Sequence, residues 1–295
     1  MLNSLAIDLG ATLYIPSTHE AILDVANLKK YPQLRSLVFC AEDSVAANDL
    51  PKALANLARV LPALEEAPLS RFIRPKNPEL LEELLTFDGI ERLDGFVLPK
   101  ADLENLPRYF KVLERHERFV VMPILETGLV FDLNSLCELR DFLAGSKLKS
   151  RIKALRIGAL DLLSLLHLRR QDNETLYETP LAYVMDQLIA VFRPAGFSLT
   201  APGCECFGNP ELLVRELDLD INRGLFGKTA LHPEQVGIIH AAYRVSEREL
   251  MEARAVNDPS RPAVFRLGDR MFEKAVHQRW AATIEARHEI YGLKN

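Results

Sequence analysis

Short apolar segments recur along this 295-residue chain, each separated from the next by a longer segment with helical periodicity. Several are apolar nearly throughout rather than at alternate positions, which is typical of parallel strands covered on both faces. The segments are ATLYIP, LRSLVFC, LSRFIRP, LDGFVLPK, RFVVMPILE, IKALRIGA, GFSLTAP and LFGKTALH. Eight strands with helices between them predict an α/β fold, the (β/α)8 TIM barrel, and a doubly wound sheet is the alternative.

The alternating pattern ends near Tyr243, which predicts a barrel over residues 1–243. The next stretch, VSERELMEARAVNDPSRP, is polar and indicates a helix followed by a linker. AVFRLGDRMFEKAVHQRW then indicates a short hairpin leading into a closing helix. We therefore predict that residues 244–295, here called the C-terminal segment, form a linker, hairpin and helix that act as a lid or an oligomer arm.

Charge and hydropathy exclude several classes of partner. The formal net charge is −5 with acids and bases mixed along the chain, which argues against a nucleic-acid partner. No apolar run approaches the roughly 18 residues of a membrane span, and the first residues lack a signal-peptide pattern. The four cysteines show neither a CxxC pair nor zinc spacing, which favours reduced thiols. We expect a cytoplasmic protein without membrane contact.

Polar residues collect where the predicted strands end, which is where a barrel of this kind carries its catalytic groups. Any one of them also fits a solvated strand end or a core ion pair. Together they predict an active site, because acids and cations gathered in one concavity are what catalysis requires. The residues are Glu42, Asp43, Arg74, Lys100, Glu126, Asp161, Lys228 and His232.

Glu126 and Asp161 follow the fifth and sixth predicted strands. Two carboxylates from neighbouring strand ends can bind one magnesium ion, which keeps water and leaves positions for an oxygen-rich substrate. An acid/base pair without metal is an alternative. A structural ion pair of one acid with Arg74 or Lys100 is another. The spacing alone leaves these three interpretations open.

An ordered set of motifs extends from about Thr12 to His240, with a weaker one at GDRMFEKA. The motifs are TLYIPSTHE, VFCAEDSV, FIRPKNP, GFVLPKAD, PILETG, RIGALDL and GKTALHPEQV. In this order they resemble the citrate lyase beta-subunit-like (HpcH/HpaI aldolase) superfamily of magnesium-dependent carbon–carbon lyases. The resemblance implies a TIM barrel, Mg2+ as cofactor, and a homo-oligomer that is a trimer or a hexamer.

The resemblance also implies roles for the residues that match the motifs. Glu126 and Asp161 would ligate magnesium. Arg74 would hold a substrate carboxylate, for which a guanidinium fork is well suited. Glu42 and Asp43 would lie beside the metal, ordering its water or positioning the substrate. Magnesium and Arg74 would together stabilise the enolate left by carbon–carbon cleavage.

Other matched residues complete the expected site. Lys100 would add positive charge, and Lys228 and His232 would shape the rim of the last strand as substrate-binding residues. Glu273 occupies the place of a terminal aspartate that the family can donate to a neighbouring subunit's site. It would act as a general acid or base when the lid is shut.

The chain departs from the family pattern at several positions. Gly10 or Ala11 stands for an arginine, Ser17 for a glycine, Cys40 for an aspartate and Glu273 for an aspartate. We predict a magnesium-dependent lyase or aldolase acting on a carboxylate-bearing 2-oxo or 3-hydroxy acid or its thioester. The alternatives are phosphoryl or carboxyl transfer on an enolpyruvate-like substrate, and a non-catalytic ligand-binding descendant.

Overall fold

Eight parallel strands form the centre of the molecule in the computed structural model, which describes residues 6–294. They pair in the order β7-β6-β5-β4-β3-β2-β1-β8. Seven of them lie within the predicted segments, and β2 extends one residue beyond its segment, to Ala41. The strands are β1 (Thr12–Pro16), β2 (Ser36–Ala41), β3 (Ser70–Pro75), β4 (Gly95–Leu98), β5 (Val120–Leu125), β6 (Leu155–Ile157), β7 (Leu199–Thr200) and β8 (Thr229–Ala230).

Helices follow the strands and cover the outside of the sheet. They are α1 (Ile22–Ala26), α2 (Leu50–Val60), α3 (Pro78–Leu84), α4 (Leu106–Leu113), α5 (Leu133–Gly145), α6 (Ala159–Leu165), α7 (Leu181–Phe192), α8 (Pro210–Asn222) and α9 (Glu234–Ala242). Asparagine caps with a following proline begin α3 and α8, where Asn77 and Asn209 accept hydrogen bonds from main-chain N–H groups. No helix within residues 6–294 is long and apolar enough to cross a membrane.

The sheet curls into a nearly closed ring. Strand β1 pairs with β8 through Thr12 opposite Thr229, and β7 meets the approach to β8 in a bridge between Thr200 and Phe226. The predicted (β/α)8 barrel is therefore confirmed. The doubly wound sheet is excluded because the strands follow chain order around the ring and the last strand, β8, closes beside β1.

The inside of the barrel changes character from one end to the other. Its middle is apolar and includes Val38, Phe72 and Met122. Because side chains alternate between the two faces of a strand, residues two positions further on also point inward. Cys40 and Arg74, which lie opposite each other in β2 and β3, occupy such positions. The interior thus turns polar toward the carboxyl ends of the strands.

The C-terminal segment has its own small apolar cluster, which includes Phe265, Phe272 and Ile284. Ser246 and Glu249 form a capping box that begins α10. The predicted helix, hairpin and closing helix are all present, while action as a lid or arm stays a prediction. The elements are α10 (Glu247–Asn257), β9 (Val264–Leu267), β10 (Arg270–Glu273) and α11 (Lys274–Tyr291).

The C-terminal segment is anchored at the amino-terminal ends of the strands. The Tyr291 hydroxyl donates to the carbonyl of Ile7, just before β1, at 2.6 Å. Gly10 lies beside this contact with φ of +59°, and a Cβ there would come within 2.6 Å of His240 Nε2. Glycine at position 10 is therefore required locally.

Candidate active site

A cluster of charged residues from five consecutive strands forms at the carboxyl end of the barrel. Glu42, directly after β2, is its buried centre. Its Oε1 lies 2.7 Å from Lys100 Nζ and its Oε2 lies 3.1 Å from Arg74 Nη2. One carboxylate thus holds two cations from different strands. We call the following set the carboxyl-end cluster: Glu42, Asp43, Arg74, Lys100, Glu126 and Asp161.

Lys100 connects most of the cluster. Its Nζ lies 3.0 Å from Asp43 Oδ2 and 3.7 Å from Asp161 Oδ1, and its main-chain N–H donates to Glu126 Oε1 at 2.7 Å. Burial lowers the pKa of Lys100, but its bonds to Glu42 and Asp43 outweigh burial and raise that pKa. The backbone of Lys100 has a φ of +49°, which is a strained value for lysine. In this conformation the main-chain N–H contacts Glu126 while the side chain contacts Glu42 and Asp43.

Glu126 follows β5 and is only 4% exposed. Its carboxylate fills space that a glycine leaves open, because a Cβ on Gly158 would come within 2.3 Å of Glu126 Oε2. Burial, and then the charge of Asp161, raise the pKa of Glu126 to about 7. The group is an acid that a nearby cation would readily deprotonate.

Asp161 lies in the first turn of α6 rather than directly at a strand end, and its side chain is partly exposed. Together with Glu126 it offers an all-oxygen donor set whose two charges repel each other. Magnesium is usually held by one or two carboxylates plus water and substrate, so these two residues fit it. Within residues 6–294 there is no group of three or more His, Cys, Asp and Glu side chains suited to a metal.

Arg74 is fixed in β3 by the thiol of Cys40, which accepts from Nε at 3.3 Å and from Nη2 at 3.0 Å. Burial acts to lower the pKa of Arg74, but Cys40, Tyr14 and Glu42 outweigh it and raise that pKa. Cys40 was not among the predicted site residues. Its inward position in β2, opposite Arg74 in β3, is the sequence signal for this contact.

Comparison with known proteins identifies the family of this chain. A family model described as C-C bond lyase of the TIM-barrel fold matches residues 3–293. The chain belongs to this family. Citrate lyase subunit beta of Escherichia coli K12 is 23% identical over 300 residues, covering 96% of this chain and 94% of that protein. L-malyl-CoA/beta-methylmalyl-CoA lyase of Cereibacter sphaeroides is 21% identical over 238 residues, covering 73% of each chain.

A solved structure of CitE from Mycobacterium tuberculosis, in complex with magnesium, acetoacetate and coenzyme A, has the same fold. It superposes with a TM-score of 0.72 at 20% identity, covering 96% of this chain and 99% of that chain. The family model and the likeness to citrate lyase subunit beta confirm the resemblance to the citrate lyase beta-subunit-like superfamily. The predicted enzyme class, a carbon–carbon lyase, is that of the C-C bond lyase family.

In this C-C bond lyase family member, Lys228 does not join the carboxyl-end cluster. Its Nζ lies 2.9 Å from Glu216 and 2.8 Å from Asp220, both on α8, and all three side chains are fully buried. The prediction that Lys228 contacts substrate has no support in this geometry. Two carboxylates hold its charge between β8 and α8, where a substrate has no access.

His232 lies just beyond β8, in the turn that leads into α9. Its ring is half exposed and lies 5.5 Å from the ring of Phe207, and Nδ1 is 3.6 Å from Glu234. The Gln235 side chain fixes the turn by accepting from the N–H groups of Leu231 and His232. His232 is therefore on the rim but outside the carboxyl-end cluster, and its substrate contact stays a prediction.

Glu273 ends β10 in the C-terminal segment. Its main chain contacts His277 Nδ1, and the structure does not bring its side chain to the carboxyl-end cluster of the same chain. The predicted acid/base role of Glu273 thus depends on a neighbouring subunit.

Tyr14 and Arg156 complete the interior below the carboxyl-end cluster. Neither was predicted from the sequence as a site residue. The guanidinium of Arg74 and that of Arg156 each lie 5.4 Å from the centroid of the Tyr14 ring. Strand alternation could have found them, because Tyr14 is two residues past Thr12 in β1 and Arg156 is two residues before Gly158.

Proposed function

We propose that this protein is a magnesium-dependent lyase that cleaves a carbon–carbon bond in a carboxylate-bearing 2-oxo or 3-hydroxy acid or its thioester. The observation that carries the proposal is the carboxyl-end cluster. It combines a pair of acids with a fixed guanidinium at the functional end of the barrel, in a chain of the C-C bond lyase family.

Glu126 and Asp161 would hold the metal. When bound, magnesium supplies positive charge next to the developing enolate oxygen. Glu126 must give up its proton to act as a ligand, so its raised pKa makes metal binding weaker in acid. The glycine at position 158 admits the carboxylate, and the N–H of Lys100 orients it.

Arg74 would bind the substrate carboxylate. Cys40 and Glu42 engage its Nε and Nη2, while Nη1 makes no hydrogen bond within residues 6–294. One face of the fork is therefore held rigidly, and a donor is left for an incoming anion. Because Glu42 is shared with Lys100, both cations keep fixed positions without substrate.

The relatives support the substrate class. One is a malyl-CoA/methylmalyl-CoA lyase, and the Mycobacterium CitE structure holds acetoacetate and coenzyme A. A small carboxylate or its acyl-thioester would therefore suit the proposed site. We also propose a cytoplasmic location and a homo-oligomeric state.

Turnover on a panel of 2-oxo acids, 3-hydroxy acids and acyl-CoA thioesters would test the proposal, with cleavage products followed by mass spectrometry. We expect magnesium-dependent cleavage that Glu126→Gln and Asp161→Asn each abolish. Calorimetry should show magnesium affinity lost in both variants and unchanged in Glu91→Gln, a surface acid. Unchanged magnesium binding in either site variant would remove that residue from the metal site. Magnesium binding without any turnover would contradict the lyase activity.

A further inference from the structure

The ring of Tyr14 lies between two guanidinium groups inside the barrel. Arg74 reaches it from β3 and Arg156 from β6, each with Cζ 5.4 Å from the ring centroid. Both distances are within the range of cation–π attraction. This stack directly underlies the carboxyl-end cluster, since its upper member, Arg74, belongs to both.

Arg156 is an unusual residue to find in this position. It is 2% exposed, and it hydrogen-bonds to neutral oxygens: Thr229 Oγ1 at 2.6 Å, Thr12 Oγ1 at 3.3 Å, the Gly227 carbonyl at 3.3 Å and the Tyr14 hydroxyl, which accepts. No carboxylate within residues 6–294 forms an ion pair with it. A buried charge without an opposite charge costs folding free energy, so stability does not explain the presence of arginine here.

The hydroxyl of Tyr14 has a donor to offer a bound molecule. Tyr14 is partly exposed, and it occupies the inward position of β1 that follows Thr12 toward the carboxyl end of the barrel. No hydrogen bond within residues 6–294 uses this hydroxyl as donor. Burial raises the pKa of Tyr14 despite the opposing effect of Arg156 and Arg74, so the phenol keeps its proton at neutral pH.

We infer that Tyr14 is a further catalytic residue, whose hydroxyl donates a hydrogen bond to the substrate oxygen that becomes negative on carbon–carbon cleavage. Arg156 is its positioning residue: it holds the ring and makes the hydroxyl a stronger donor by placing positive charge beside it. A fixed donor aimed at developing charge favours the transition state over the ground state. The inference rests on the proposed function for the identity of the substrate.

A packing role predicts a different outcome. If Tyr14 served only as a spacer between two guanidinium groups, phenylalanine would serve as well for oxalate binding, because it keeps the ring and both cation–π contacts and loses only an acceptor for Arg156. Tyr14→Phe is therefore the informative variant. Tyr183→Phe is the matched control, since Tyr183 is an exposed tyrosine on α7.

Binding of oxalate, a planar dianion that mimics an enolate, provides a test that does not need turnover. Calorimetry with magnesium present should show oxalate affinity about 10-fold lower in Tyr14→Phe, the effect of losing one hydrogen bond to a charged group. Pyruvate affinity, magnesium affinity and Tm should stay within error of the unmutated protein, as they should in Tyr183→Phe. Equal oxalate affinity in Tyr14→Phe, or no oxalate binding to the unmutated protein, would overturn the inference.

Arg156 is tested by a pair of variants. Arg156→Met should weaken oxalate binding less than Tyr14→Phe does, and Arg156→Lys should restore part of the loss. The double variant Tyr14→Phe with Arg156→Met should bind oxalate as Tyr14→Phe does, because a positioning residue has no effect once its target is gone. Additive losses would contradict this role.

Where the unmutated protein turns over a substrate, kcat should fall about 100-fold in Tyr14→Phe with little change in KM. A kcat within threefold of the unmutated value would overturn the inference. Weaker oxalate binding by Tyr14→Phe in a protein without turnover would instead keep Tyr14 as a donor to a bound enolate-like anion and reject both the lyase activity and the catalytic role of Tyr14.

Discussion

At the scale of single residues, sequence reasoning found the charged part of the site better than its neutral part. Glu42 and Glu126 follow apolar strands directly and Arg74 lies near the end of one, so their charges stand out in the sequence and the barrel brings them together. Tyr14 and Cys40 sit within strands where tyrosine and cysteine are ordinary residues. Only the interior packing shows that they face Arg74.

Glu126 should make the stability of the metal-free protein depend on pH. The folded-state pKa is about 7, above the ordinary value of 4.5. The folded protein therefore holds this proton more tightly than the unfolded chain does. The proton on Glu126 therefore stabilises the folded state. This stabilisation is complete below about pH 4.5 and is lost as pH rises through 7, which lowers the free energy of unfolding by on the order of 3 kcal/mol.

Urea unfolding at pH 5.5 and 8.5 without metal would measure this effect. We expect the unmutated protein to lose more free energy of unfolding than Glu126→Gln, which has no proton to release. Glu91→Gln should behave like the unmutated protein, because Glu91 is exposed. The same pH dependence in all three proteins would show that Glu126 is ionised in the folded state throughout this range.

At the scale of elements, the apolar segments located every strand of the barrel, but not the strand lengths. Strands β7 and β8 are two residues long, because the number of paired residues depends on neighbours far away in the chain. The position of Lys228 outside the carboxyl-end cluster has a related reason. Its two partners, Glu216 and Asp220, are four residues apart and share one face of α8, which packs over this lysine.

Removal of Lys228 should destabilise the protein strongly. In Lys228→Met, Asp220 loses its only cation among residues 6–294, while Glu216 keeps Arg170. Breaking a buried pair by removing one partner costs about 3–5 kcal/mol. Lys29→Met is the matched control, because Lys29 pairs with Glu65 in solvent and such pairs contribute about 1 kcal/mol or less. Urea unfolding that shows equal losses in the two variants would contradict this difference.

At the scale of the whole molecule, the C-terminal segment and the carboxyl-end cluster belong to opposite ends of the barrel. Tyr291 fixes the segment next to Ile7, at the amino-terminal ends of the strands. The hairpin nevertheless exposes the apolar side chains of Val264 and Met271 near Glu273. We propose that in a homo-oligomer this surface covers the site of a neighbouring subunit and brings Glu273 to it.

Mixed oligomers would test this arrangement once a substrate is known. Glu273→Gln subunits combined with Glu126→Gln subunits should recover part of the activity, since some sites then receive both intact residues. Glu126→Gln combined with Asp161→Asn should recover none, because these two acids belong to one barrel. No recovery in verified Glu273→Gln and Glu126→Gln mixtures would reject the shared site.

The bonds of Arg156 also determine when the site can form during synthesis. Thr12 and Thr229, both acceptors of its guanidinium, lie in the first and last strands of the ring. Contacts between such distant parts of a chain form late in folding. All residues of the carboxyl-end cluster are therefore synthesised well before Ala230 leaves the ribosome. The barrel that holds the cluster together, however, cannot close until Ala230 has emerged.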